Sequence, residues 1–420
     1  MMDALGDPQR SYPVLHVSGT NAKFSVLAIV TAILTEIGMT VGTYTSPDLG
    51  NVRERIGFAA PGEIQPIDEE GFTERLTYLR PFIELVEERL GDELTYFELL
   101  TVLAFEAFFD RAVHAAVVET GLGGEYDATN VADAAVAVVT NVSLDHIRQF
   151  GGDLAKAAWE KAGIAKQGSV VVSGVEPDDL FDIVERRATE KGAERILRLG
   201  REIDLVERYP AVGGQTVTVS TPRGTYADVF LSLFGEHQAR NAVLAIAAVE
   251  EFVGERIAED VLERALGSLR LPARLEILGR HPLVVVDGGH NPAAATNVRQ
   301  AVEEAFAHER LILVVGMVGS KPVEDVLAIW APIVDHVVVT VPETERAADA
   351  ARLVDAFREL GIEADAIDVV ESVAAAVDHA IGLAGEDDLV LVFGSFYTAS
   401  EARIRLRGRG ASTEERGSDG

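Results

Sequence analysis

Residues Val14 to Ser25 read VLHVSGTNAKFS: a short β-branched run, a glycine with small polar residues, then a lysine entering an apolar helical stretch. That order constrains the fold more than any other feature of the chain. A strand stops, the backbone turns tightly, and the N–H groups opening the next helix converge where Lys23 also points. A triphosphate is the natural occupant of such a cradle, with Lys23 on its outer phosphates and Ser25 on phosphate or magnesium. An ordinary strand-to-helix turn capped by Thr20 or Asn21 is the plain alternative. Two residues depart from the ideal loop: Ala22 stands where glycine tolerates unusual dihedrals, and Phe24 sets a bulky ring beside the lysine.

The chain around this loop has 420 residues, more than one ordinary core accommodates, so two domains are expected. With 48% apolar and 25% charged residues it reads as globular. No apolar run reaches the ~18 residues of a membrane span, and no basic, then apolar, leader opens the chain. A net charge of −31 would repel nucleic acid. The absence of cysteine excludes disulfides and thiolate metal sites and suits a cytoplasmic protein. Lysines are scarce, which makes Lys23, Lys161, Lys166 and Lys321 individually conspicuous.

Short β-branched runs alternate with amphipathic stretches, the pattern of parallel α/β architecture. Strands are predicted at Val14–Ser18, Val41–Thr45, His114–Glu119, Ala135–Asn141 and Ser169–Ser173. Helices are predicted at Ser25–Ile37, Glu69–Leu90, Tyr96–Asp110, Asp153–Ile164, Gln238–Val253 and Ala258–Leu269. The stretch from Thr45 to about Ile67 reads as irregular, and Leu197 to Leu233 as an antiparallel hairpin about Gly213-Gly214. After Leu271-Pro272-Ala273 the cycle restarts. Strands at Leu283–Val286, Leu311–Val315, His336–Thr340 and Leu389–Phe393 then alternate with helices near Ala293–Phe306, Val323–Trp330, Ala347–Leu360 and Ser372–Leu383. The expected division is 1–271, 272–406, and a polar, disordered tail over 407–420.

Other segments could carry chemistry on the same sheet edge. Glu119 ends a buried run and enters Gly121-Leu122-Gly123-Gly124-Glu125-Tyr126-Asp127, placing a carboxylate where α/β sheets bind ligands. The glycines do not form a dinucleotide fingerprint, because Tyr126 takes the place of its third glycine. Ser143, Asp145 and His146 sit too close in sequence for a hydrolase triad, whose members come from separate elements. His146 fits a metal or phosphate contact better. Lys161 lies beside Glu160 on a helix, where an exposed Glu-Lys pair is the plain alternative to a carbamylated lysine that orients magnesium. Val286-Asp287-Gly288-Gly289-His290-Asn291-Pro292 again ends a strand and opens a helix.

In order, these segments resemble the folylpolyglutamate synthase and dihydrofolate synthase family, the folate branch of the Mur-type amide ligases. The resemblance spans His16 to Arg403. It rests on Gly19-Thr20-Asn21-Ala22-Lys23-Phe24-Ser25 against a loop GTNGKGS, on Thr45-Ser46-Pro47-Asp48-Leu49 with Arg53-Glu54-Arg55-Ile56, on Tyr96-Phe97-Glu98, and on Glu119 to Asn130. Later matches are Thr340-Val341-Pro342, Arg346-Ala347 and Gly394-Ser395-Phe396-Tyr397. The implied fold is α/β: a P-loop-containing Mur-ligase-like central domain followed by a smaller Rossmann-like C-terminal domain. The family carries a few dozen residues before its phosphate loop, so the lead-in here is expected to be short, as from a truncated start or a misassigned initiator.

The resemblance implies that Ser46, Glu119 and His146 line magnesium sites and that Lys161 is carbamylated. It further implies that residues Gly19 to Ser25 with Asn241, Arg274, Asp287 and His290 contact ATP, and that Lys23, Lys161 and His290 serve catalysis. The implied reaction joins L-glutamate to a folate or dihydropteroate carboxylate through an acyl phosphate, in a cytoplasmic monomer whose partners are small molecules. A potassium requirement is left open. Asp48 replaces the family's usual histidine, Glu125 a usual arginine, and Ser320-Lys321-Pro322 an Asp-Lys-Asp type segment. Asp48 and Glu125 are expected to make the site more acidic or less basic. The departures keep two alternatives in view: a related ligase acting on another carboxylate, and an ATP-binding paralogue without catalysis.

Overall fold

In a computed structural model, which describes residues 1–60, 62–143 and 151–417, the chain divides into two compact units. The first comprises residues 1–232 and 237–269, the second residues 233–236 and 270–420. No helix among the described residues is long and apolar enough to cross a membrane.

The first unit begins with β1 (Val14–Ser18) and α1 (Lys23–Glu36), then β2 (Val41–Tyr44), β3 (Ile56–Ala60) and β4 (Glu63–Pro66). Helices α2 (Glu69–Leu90) and α3 (Tyr96–Asp110) follow, then β5 (Ala115–Glu119), β6 (Ala134–Val139), α4 (Leu154–Ala162) and β7 (Val170–Ser173). Next come α5 (Asp178–Glu190), β8 (Arg195–Arg198), the strands β9 (Asp204–Ala211), β10 (Gly214–Thr221) and β11 (Gly224–Leu231), and helices α6 (Glu236–Val253) and α7 (Glu259–Gly267). The main sheet has eight strands in the order β4-β3-β2-β5-β1-β6-β7-β8, parallel except where β3 meets β2 and β4. Strand β1 is therefore central, and every residue of it is buried, as a parallel strand covered on both faces demands. The chain leaves β1 toward β2 on one side and leaves β6 toward β7 on the other. That reversal opens a crevice at the carboxyl ends of the strands.

The stretch expected to be irregular contains β3 and β4. They form an antiparallel edge whose outer strand is mostly exposed, so no inward face marks it in the sequence. Likewise the expected hairpin is a three-stranded sheet in the order β11-β10-β9, and the Arg195–Arg198 run joins the main sheet instead.

The second unit holds β12 (Glu276–Arg280), β13 (Leu283–Val286), α8 (Pro292–Ala305), β14 (Leu311–Val315), α9 (Val323–Trp330) and β15 (His336–Val339). It continues with α10 (Ala350–Glu359), β16 (Ile367–Val369), α11 (Val373–Leu383), β17 (Leu389–Phe393) and α12 (Phe396–Gly417). Its six strands run β12-β13-β17-β14-β15-β16, all parallel except β12. Trp330 and Phe393 meet edge-on, ring centroids 5.1 Å apart, in a core of Val, Leu and Ile from the strands. The backbone of α12 stays helical to Gly417, through most of the segment expected as a disordered tail. Near its start, Thr398 Oγ1 donates to Gly316 O at 2.7 Å.

Candidate functional site

The loop after β1 is shaped by the strand beside it. Thr20 N–H donates to Asn141 O at 3.0 Å and Asn21 N–H to Asn141 Oδ1 at 3.0 Å. Thr140 Oγ1 donates to Asn21 O at 2.6 Å. Gly19 passes so close to Thr140 that a Cβ there would lie 1.8 Å from its Oγ1. Ala22 caps α1 in the left-handed region, at φ 68° and ψ −2°, so the turn survives the loss of glycine at a backbone cost. Its side chain cannot cap the helix, which leaves the first amides of α1 for a bound anion.

Lys23 Nζ donates to Gly19 O at 3.3 Å and lies 3.7 Å from Glu119 Oε1, with both side chains largely buried. Register explains the meeting: Val17 pairs with Glu119, Tyr44 with Val118, and Ser18 with Val139. Gly19, Glu119, Ser46 and Asn141 thus leave adjacent strands on one edge. Ser46 is half-buried there. His146, the third candidate metal ligand, lies outside the described residues. Ser25 is buried and accepts a hydrogen bond from Gln238 Nε2 at 3.3 Å, while Asn241 Nδ2 donates to Gln238 Oε1 at 3.0 Å. Asn241 therefore reaches the loop through Gln238, a link the sequence reading overlooked. The available signal was a glutamine three residues before Asn241 on an alanine-rich helix face.

Two expectations about charge are corrected. Asp48 does not acidify the edge, because Arg55 Nε donates to its Oδ2 at 2.7 Å and the same guanidinium lies 5.4 Å from the Tyr96 ring centroid. Glu125 turns into an ion cluster, with Lys191 at 2.7 Å and Arg187 at 3.0 Å. Burial works against ionising Glu125, yet hydrogen bonds from Lys191 and Arg187 prevail and hold its carboxyl below the usual range. Lys161 is buried near the end of α4. The glycine loop rests on the α4 backbone, since a Cβ on Gly124 would meet Glu160 O at 2.6 Å and Lys161 O at 2.9 Å.

In the second unit, Arg274, Asp287 and His290 gather at the carboxyl edge of β13. Asp287 is buried and accepts from Leu275 N–H at 3.0 Å and Gly289 N–H at 2.7 Å. Burial pushes its carboxyl up, and Arg274, the two amides and His290 oppose that shift. The Arg274 guanidinium lies 4.8 Å and the His290 ring 5.8 Å from the Phe396 ring centroid. Phe396 is thus the shared anchor of two predicted contacts. Arg274 stands between two non-glycine residues at positive φ, Ala273 at 52° and Leu275 at 48°. Backbone strain of this kind tends to concentrate at ligand sites.

Residues 17–249 match the Mur ligase middle domain, and residues 273–396 match the Mur ligase, glutamate ligase domain. The dihydrofolate synthase/folylpolyglutamate synthase of Mycobacterium tuberculosis is 37% identical over 96% of this chain and 88% of its own length. The Bacillus subtilis protein of the same name is 30% identical over 97% and 93%. The Mycobacterium tuberculosis folylpolyglutamate synthase complexed with ADP superposes with a TM-score of 0.90 at 36% identity, covering 96% of this chain and 92% of that one. Escherichia coli FolC in complex with DHPP and ADP gives 0.84 at 30% identity, covering 97% and 91%. The order of strands, the phosphate loop and these likenesses agree, and the chain belongs to the Mur ligases, in the folylpolyglutamate synthase/dihydrofolate synthase branch.

Proposed function

We propose that the protein is an ATP-dependent ligase that joins the α-amino group of L-glutamate to a folate or dihydropteroate carboxylate. One observation carries the reading: Lys23, the uncapped first turn of α1, and the Glu119 carboxylate share one sheet edge. Relatives whose names and complexes include folylpolyglutamate synthase, ADP and DHPP support it.

In this reading the amides of residues 19–25 and Lys23 hold the β- and γ-phosphates. The acceptor carboxylate attacks the γ-phosphorus, the bond to the bridging oxygen breaks, and ADP leaves an acyl phosphate. The neutral amine of glutamate then attacks the acyl carbon, phosphate departs, and the amine proton passes to solvent. Positioning and charge neutralisation do most of the work. Glu119 and Ser46, with His146, would hold magnesium, whose chemistry is to neutralise phosphate charge. A buried carboxylate and a hydroxyl on adjacent strand ends are the hard oxygen donors that ion takes. Among the described residues no group of three or more acidic or histidine side chains is arranged for a metal. Magnesium bound mainly by phosphate and water needs no such group. The burial of Lys161 supports a carbamylated side chain there, and Arg274, Asp287, His290 and Asn241 are proposed to contact nucleotide. We place the enzyme as a cytoplasmic monomer.

The test is glutamate-dependent release of phosphate from ATP with pteroate or folate as acceptor. Replacing Lys23 by alanine is expected to lower kcat by at least about 10²–10³, the cost of one lost donor to a developing oxyanion. Ligation by that variant at the parent rate would refute the assignment.

A further inference from the structure

His16 is absorbed by none of this, yet it sits in the middle of the strand that delivers the phosphate loop and is fully buried. Its Nε2 lies 2.8 Å from Thr129 Oγ1, and Thr129 Oγ1 lies 2.5 Å from Asp127 Oδ1. A hydroxyl has one proton and a carboxylate only accepts, so Thr129 donates to Asp127 and must accept from His16. That fixes the tautomer: the proton is on Nε2. The other nitrogen, Nδ1, is buried with no hydrogen-bond partner among the described residues. A second proton there would be an uncompensated charge, and burial, with the nearby Lys166 charge, lowers the imidazole to about 3.

The relay ends on the loop after Glu119. Asp127 Oδ2 accepts from Leu122 N–H at 2.9 Å. Ser18, two residues beyond His16 and on the same strand face, donates to Gly123 O at 2.5 Å. Two side chains of β1 thereby hold consecutive residues of the glycine loop. Elsewhere that loop has no room to slide: a Cβ on Gly121 would meet the Phe97 ring at 2.6 Å, and Gly124 rests on the carbonyls of Glu160 and Lys161.

We propose that His16 is a positioning residue: through Thr129 and Asp127 it sets the Leu122–Asp127 loop, and with it the spacing of Glu119 and Lys161 from the phosphate loop. This rests on the reading that Glu119 and Lys161 serve the ATP–magnesium site. His16 touches no reacting atom.

The test compares full-length variants. Thr129→Val removes the acceptor and His16→Asn draws the donor back from it. Thr129→Ser keeps the hydroxyl, and His16→Gln places an amide N–H near the Nε2 position. Thr129→Val and His16→Asn should lose about 10–100-fold in kcat, the usual loss when a supporting hydrogen bond is cut. Their KM for ATP should be nearly unchanged, and hydrogen exchange should rise over residues 121–127. Thr129→Ser and His16→Gln should recover most of the parent kcat. Long-range ¹⁵N–¹H spectra of histidine-labelled protein should show His16 as the Nε2–H tautomer, unchanged between about pH 5 and 8. An Nδ1–H tautomer, an imidazole titrating in that window, or parent kcat in Thr129→Val would overturn the proposal. So would a loss of rate matched by loss of folded protein. If the parent chain shows no ligase activity, the ligase reading fails instead, and the spectra and exchange data still judge the relay.

Discussion

Replacing Gly19 by alanine tests whether the phosphate loop is held by contact with β6 rather than by its own turn. The new Cβ would lie 1.8 Å from Thr140 Oγ1 and 3.0 Å from Thr140 Cβ. Thr140 must rotate or the strands must part, an overpacking cost of about 1–3 kcal/mol. Rotation also breaks the 2.6 Å hydrogen bond from Thr140 Oγ1 to Asn21 O, worth about 1 kcal/mol more. Gly19 also sits at φ 157°, where any side chain adds backbone strain in either background, so Gly19→Ala should cost at least about 2–4 kcal/mol. Thr140→Ala alone should cost about 1–2 kcal/mol, since it removes the same hydrogen bond. In the double variant the hydroxyl that clashes is gone and its bond is already lost, so the second substitution should cost nothing further or recover part of the first. The coupling is then at least about 1 kcal/mol in the stabilising direction. Chemical denaturation supplies the energies, and hydrogen exchange over β1 and β6 assigns them to the first unit. Additive penalties would refute the reasoning.

The remaining expectations concern both units. Ala22→Gly relieves a left-handed alanine and should stabilise the first unit by about 0.5–1 kcal/mol without weakening ATP binding, as read by denaturation and calorimetry. Glu125→Gln should cost about 1–3 kcal/mol at neutral pH through its bonds to Lys191 and Arg187. The folded carboxyl is depressed, so its contribution is complete above the unfolded value of 4.5 and fades as pH falls through the lower, folded one. The stability gap between variant and parent should accordingly close under acid, and a gap constant with pH would contradict the assigned cluster. Asp287→Asn would turn an amide NH₂ toward the N–H of Leu275 or Gly289 and should cost the second unit about 1–3 kcal/mol, measured as faster exchange around β13.

Where burial is total, composition alone betrays the strand: Val14–Ser18, Leu311–Val315 and Leu389–Phe393 match their predicted bounds. The edge strands β3 and β4 escaped because β4 is mostly exposed, Gly57 interrupts β3 and Gly62 turns between them. Helix α5 escaped although Leu180, Phe181, Val184 and Ala188 are buried at helical spacing, because acidic and basic residues dominate the rest of it. In the site, residues that directly follow strands were readable, since parallel topology sends them to one edge. Their partners were not. Ser25 with Gln238, His16 with Thr129, and Glu125 with Lys191 join residues far apart in the chain, so no local pattern announces them. For Asp48 and Glu125, the acidic letter was visible but the arginine or lysine that neutralises it was not.

The central place of β1 has a consequence for biogenesis. Its neighbours are β5 and β6, and the amide of Thr20 donates to the carbonyl of Asn141. A nascent polypeptide that has emerged only as far as α3 carries the whole nucleotide motif yet lacks the walls that give it shape. The ribosome must release residue 141 before the cradle can close on a ligand, so early products of synthesis should be unable to sequester ATP and should depend on chaperones to shield a lone hydrophobic strand.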